Sequence, residues 1–155
     1  DPDRVERLFA LEPSPAMRRR ARHAVARSAL EIEWLDLPGE EIPLEAGSVD
    51  TVVLTYTACT IPGIGAALSE MRRVMKTGGR LLFSEHGAAP DPPVAKWQQR
   101  IEPVWKPIAG GCHLTRKPDQ LIEQAGFRIK HMDAGYLPRS PKFAAFNYSG
   151  SADLA

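Results

Sequence analysis

The chain has 155 residues, with 20 Lys+Arg against 19 Asp+Glu and a formal net charge of +1. That length fits one compact domain, and an apolar content of 43% excludes a generally disordered chain. The balanced charge argues against a dedicated nucleic-acid binder, and no apolar run approaches the ~18 residues of a membrane span.

The opening Asp1-Pro2-Asp3-Arg4 lacks both an initiator Met and the apolar stretch of a signal peptide. Val5 to Glu12 reads as a strand. Ser14 then suits a helix N-cap and Pro15 the first helical position, where a missing N–H costs nothing. Met17, Ala21, Ala24 and Val25 form an apolar stripe away from Arg18, Arg19, Arg20, Arg22 and Arg27. This arginine run reads as a solvated helix face rather than a nucleic-acid contact. Glu31 to Leu35 is a second short strand, and Leu37 to Ser48 a loop. Asp50 to Tyr56 is the clearest strand, and its β-branched run predicts cover on both faces. Ile64, Leu68, Met71 and Met75 predict an amphipathic helix from about Gly63 to Lys76. Lys76 should lie in its last turn, with Gly78-Gly79 as a left-handed stop.

Arg80 to Glu85 is the next strand. Val94 to Ile108 is helix-like but broken by Pro103 and Pro107. Pro118 to Ala125 is a short helix ending at Gly126. Phe127 to Tyr136 and Lys142 to Tyr148 read as a final antiparallel pair. The domain should therefore span 1–150, with 151–155 part of a frayed tail that begins at Ser149. Alternating strands and helices predict an α/β fold with a mostly parallel sheet, whose ligands sit beyond the carboxyl ends of the strands. Those ends are Glu12, Asp36 to Glu40, Thr55 to Thr60, and Glu85-His86-Gly87. Cys59 and Cys112 lie far apart without a CxxC, which fits free thiols in a reducing, cytoplasmic setting.

Four segments carry a family resemblance. Gly47-Ser48-Val49-Asp50-Thr51-Val52-Val53 resembles the "GSFDxVV" opening of the fourth strand in class I S-adenosylmethionine-dependent methyltransferases. Met71 to Leu82 resembles their "xxRVLKPGGxLL" segment. Glu12-Pro13-Ser14-Pro15-Ala16-Met17 resembles the junction after their second strand, and Pro38 to Leu44 their "AExLPF" loop. Further on, Glu85-His86-Gly87, Trp97-Gln98-Gln99, Glu102 to Lys106 and Gly110 to Arg116 are similar to one branch of the type 11 methyltransferase domain, which includes thiol methyltransferase-like proteins. The resemblance covers about Val5 to Gly150. It implies a three-layer Rossmann-like fold whose last strand is antiparallel, S-adenosylmethionine as cofactor, and a small-molecule acceptor with a thiol or hydroxyl.

The family also begins with a strand, a Gly-rich turn and a helix, and no glycine precedes Gly39 here. The first strand and its helix are therefore expected to be missing, leaving unpaired edges in mid-sheet. Those edges could pair directly or be covered by a second copy of the chain in a homodimer, or the chain could be part of a longer product. A silent α/β domain that folds by self-association is the alternative to an active methyltransferase.

The resemblance gives residue roles, each beside a plainer one. Glu12 would accept the ribose hydroxyls, or serve the electrostatics of the following helix. Gly39 and Glu40 would border the adenine, or form an ordinary turn. Thr55 and Tyr56 would line the methionine end, or pack the strand end. His86 could deprotonate an acceptor, or be a structural histidine. Cys112 and His113 could line the acceptor pocket. Trp97, Trp105, Phe143 and Tyr136 could build it, or pack in the core. Adjacent Cys and His rarely hold one ion, so no metal is expected there.

Overall fold

The computed structural model describes residues 2–155. After a short 3-10 turn come β1 (Leu8–Leu11), α1 (Pro15–Ala26), β2 (Ile32–Leu35), β3 (Val49–Thr55), α2 (Ile64–Val74) and β4 (Met75–His86). Then follow α3 (Pro92–Ile108), α4 (Pro118–Gln124), β5 (Phe127–Tyr136), α5 (Lys142–Ala145) and β6 (Phe146–Leu154). No helix among the described residues is long and apolar enough to cross a membrane.

The strands form two sheets. β1 pairs with β2 in parallel, from Leu8↔Ile32 to Leu11↔Leu35. The other sheet has the order β3-β4-β6-β5. β3 and β4 are parallel through Thr55↔Ser84, whereas β6 runs antiparallel to both β4 and β5. β1 and β3 do not pair, so among the described residues each has one open edge. Of the outcomes expected for a missing first unit, direct pairing of these two edges does not occur.

The core lies on one face of the larger sheet. Leu54, Leu81, Phe83 and Ala152 point into it and meet Ile64, Leu68 and Met71 of α2, Ile122 of α4, and Phe127. The period-4-and-3 stripe of α2 is buried as the sequence predicts. A second, smaller core joins Cys59, Cys112 and Leu114 to Trp105 of α3 and Phe143 of α5.

Several expectations are corrected. β3 is covered on one face only: Val53 is 60% exposed, and Thr51 and Thr55 also face out. β-branched residues suit a pleated strand whether or not both faces are covered, so they do not report the second layer. α2 ends at Val74, where Met75 turns extended and pairs with Val49. Lys76 therefore belongs to β4 and binds Asp50 at 2.9 Å, while Gly78, at φ +82°, makes a turn within that strand.

α3 is continuous through both prolines. Gln99, Pro103 and Pro107 are four apart and exposed, so the carbonyls that lose a partner lie toward water. Lys142–Ala145 is a helical turn, not strand. The expected tail is also corrected: residues 149–154 lie in β6, paired on both sides, so the sheet continues past 150. Small and polar residues hid it, because Tyr148 and Ala152 are the ones that alternate inward.

Candidate functional site

The carboxyl end of β4 organises its surroundings. Glu85 is completely buried, and its carboxylate accepts from the backbone N–H groups of Thr57 (2.9 Å) and Ala58 (3.1 Å). Burial raises its pKa, and those bonds oppose the rise. They fix the loop that leaves β3. At the same place Tyr56 adopts φ +50°, unusual for a side chain of that size, and its N–H donates to the Ser84 carbonyl. Tyr56 and Thr55 are both exposed at this tip.

The loop before α4 closes over the two tips. Arg116 donates to the carbonyls of Ala58 and Ile61. Gly87 permits the close approach: a Cβ there would lie 2.5 Å from the Arg116 carbonyl and 2.6 Å from Pro118 Cδ. Beneath it Gln98, fully buried, accepts from Ala89 N–H and donates to the carbonyls of Gly87 and Phe143. One amide thus joins α3, the β4 tip and α5.

Within this knot three sulfur and nitrogen groups meet. His86 Nε2 lies 3.0 Å from Cys112 Sγ, which also accepts from the Trp105 indole N–H at 3.3 Å. Cys59, His86 and Cys112 present donor atoms that all fall within 4.8 Å of one another. Burial first, and then Cys112, push the Cys59 thiol up to about 12. Desolvation lowers the pKa of His86, which favours the neutral ring at pH 7. His86 Nδ1 is buried without a partner.

Cys112 and His113, adjacent in sequence, diverge. Cys112 turns to His86, whereas His113 Nδ1 lies 3.1 Å from Glu102. Glu102 also accepts from the Thr115 N–H (2.8 Å) and hydroxyl (2.7 Å). Burial would raise the Glu102 pKa, but the bonds from Thr115 and His113 outweigh it and hold the carboxyl below its usual range.

On the other side, at the β1 tip, one oxygen of Glu12 accepts from Ser14 N–H at 2.8 Å, and no other bond to the carboxylate is present among the described residues. Gly39 is buried where a Cβ would lie 3.4–3.9 Å from Ile61, Ala67 and Leu11. It thereby brings the β2 loop, the β1 tip and the start of α2 together. Glu40 Oε1 accepts from Gly63 N–H at 2.8 Å, so this side chain ties down the start of α2, which has no side-chain cap of its own. A cleft of about 420 Å³, lined by Leu37, Glu40, Ile42 and Glu70 among others, opens beside it. A cleft of about 540 Å³ lies at the opposite strand ends, between Arg4-Val5 and Lys76 to Arg80, away from this chemistry.

The strand tips thus gather Glu12, Gly39 and Glu40 on one side and His86 with Cys112 on the other. No hydrogen bond among the described residues joins Glu12 to Thr55 or Tyr56. Sequence reasoning missed Cys59, Glu85, Gln98 and Glu102 as organisers. Glu85 and Gln98 are both fully buried, yet each has polar neighbours in sequence, so local composition carried no signal of it.

A family model described as a methyltransferase domain matches residues 2–83. Human thiol S-methyltransferase TMT1B is 38% identical over 131 residues, covering 82% of this chain and 54% of that protein. Human thiol S-methyltransferase TMT1A is 32% identical over 135 residues, 83% of this chain and 55% of that protein. The chain spans about half the length of these curated relatives. Among solved structures, a putative methyltransferase from Bacillus halodurans superimposes with a TM-score of 0.71 at 16% identity, over 96% of this chain and 80% of that one. That likeness shows the fold.

Proposed function

Since this chain belongs to the methyltransferase-domain family, we propose that the protein moves a methyl group from S-adenosylmethionine to a small thiol. The observation that carries the reading is the free oxygen of the Glu12 carboxylate at the β1 tip. Glu12 follows the carboxyl end of β1 as His86 ends β4, and a carboxylate suits the two neighbouring hydroxyls of a ribose. The relatives named as thiol S-methyltransferases support the thiol as acceptor.

The donor's nucleoside half fits the residues present. Glu12 would hold the ribose, and the loop at Gly39 and Glu40 would border the base. The amino-acid half finds no glycine-rich turn in residues 2–155, and no step is assigned to it. Thr55 and Tyr56, exposed at the β3 tip, would face the reacting end. When bound, the donor supplies an already activated methyl group, so the chain's own task is to align the acceptor and keep water out. A small thiol with a pKa near 8.5 is ionised by a few per cent at pH 7. It therefore needs no dedicated base, and His86 is turned to Cys112 inside the fold.

One observation favours a second reading, self-association. β1 and β3 leave edges unpaired, and Val53 and Leu82 stand side by side, 60% and 38% exposed, next to the β3 edge. A concentration-dependent dimer in sedimentation equilibrium supports it, and a monomer at all concentrations contradicts it.

Methyl transfer is tested with a radiolabelled donor methyl group, 2-mercaptoethanol as acceptor, and ethylene glycol as its hydroxyl counterpart. Transfer to the thiol alone is expected, with the donor KM raised at least tenfold in Glu12→Ala. Absence of transfer, or preference for the alcohol, overturns the proposal.

A further inference from the structure

We propose that Cys59, His86 and Cys112 bind one thiophilic cation of the zinc class, through both sulfurs and the imidazole nitrogen that faces Cys112. This goes beyond methyl transfer and stands without it. The three residues come from separate segments: the loop after β3, the tip of β4, and the loop between α3 and α4. Their donor atoms lie within 4.8 Å of one another. Ligands on one tetrahedral zinc lie roughly 3.5–3.8 Å apart, from bonds of ~2.3 Å to sulfur and ~2.0–2.1 Å to nitrogen. His86 Nε2 and Cys112 Sγ, 3.0 Å apart, would open to that spacing, and any wider pair would close to it, by changes on the scale of a side-chain rotation.

The donor set is soft. Two thiolates and an imidazole suit zinc far better than magnesium or calcium, and three protein ligands leave a fourth position open. Charge also balances. On binding, two protons leave the thiols, and two thiolates neutralise a divalent ion.

The surroundings carry the inference further. His86 is 9% exposed and turns Nε2 to Cys112 Sγ, so the imidazole already faces the sulfurs. Trp105 donates its indole N–H to Cys112 Sγ and His113 donates its backbone N–H to the Cys59 carbonyl. Such contacts orient first ligands and tune them.

The test uses reduced protein stripped of metal by a chelator, with both thiols confirmed free by titration. Zinc is added in competition with a chromogenic chelator, and cobalt(II) in a separate titration. One equivalent of zinc should bind. Cobalt(II) should give sulfur-to-metal charge-transfer absorption and the intense visible bands of a four-coordinate ion. Cys59→Ser, Cys112→Ser and His86→Ala should each weaken zinc binding at least tenfold, while His131→Ala, on the exposed part of β5, should not. Cobalt showing only the weak spectrum of a six-coordinate ion in the unsubstituted, folded protein overturns the proposal without recourse to variants. Serine variants that hold zinc as tightly as the parent also overturn it.

Discussion

The unit β1-α1-β2 and the knot at the β4 tip are built differently. In the first, two strands of four residues share a parallel ladder, α1 buries no residue, and Met17 on its apolar stripe is 48% exposed. In the second, Glu85, His86, Gln98 and Asn147 are all buried, and hydrogen bonds from Gln98 and Glu85 tie α3 and α5 to the β4 tip and the loop after β3. Apolar cover gives cooperative stability, and a dense polar network gives fixed geometry. The proposed nucleoside side therefore stands on the weaker support, and the sulfur-imidazole side on the stronger.

The largest effect that separates them is a core truncation. Leu81→Ala, at a side chain with no exposure, should lower stability by about 2–5 kcal/mol in urea unfolding. Leu8→Ala, 36% exposed in β1, should cost less than about 1 kcal/mol. Equal costs would erase the contrast. Next, Gln98→Ala strands the Ala89 N–H and two carbonyls, and should cost about 1–3 kcal/mol. It should also speed amide exchange at Ala89 without changing exchange in β1.

Smaller still, Ser14→Ala removes the hydroxyl that accepts from Met17 N–H at 3.4 Å and should cost about 0.5–1 kcal/mol, read as faster exchange confined to α1. The smallest effect is set by pH. The Arg73 guanidinium, and then the Ile42 N–H, lower the Glu70 carboxyl to about 2. Its contribution is present above the ordinary glutamate value near 4.5 and is lost as pH falls toward 2. Glu70→Gln should flatten the stability profile across that window, with an amplitude that salt reduces.

What was legible in the sequence is local. Ser14-Pro15 marks the start of α1, and Ile64-Leu68-Met71 marks the buried face of α2, because caps and 3.6-residue stripes are short-range signals. The absence of glycine before Gly39 pointed to a gap in the sheet but not to whether β1 and β3 would close it. Strand β6 was hidden because Ser149-Gly150-Ser151 has the composition of a tail, and its pairing partners lie far away in sequence. Of the site, Glu12, Gly39 and His86 were legible as residues at strand tips. The role of Cys59 was not, because the contact that matters joins it across three segments. Cys112 and His113 were read together as lining of an acceptor pocket, and their side chains turn apart, since adjacency in a loop says nothing about where two side chains point.

Calorimetric titration with S-adenosylhomocysteine tests the central claim most directly, that these strand tips hold the nucleoside of the methyl donor. Saturable one-to-one binding, weakened at least tenfold by Glu12→Ala and unchanged by Met17→Ala, is the predicted result. No binding to the folded protein, or binding indifferent to Glu12, would contradict it.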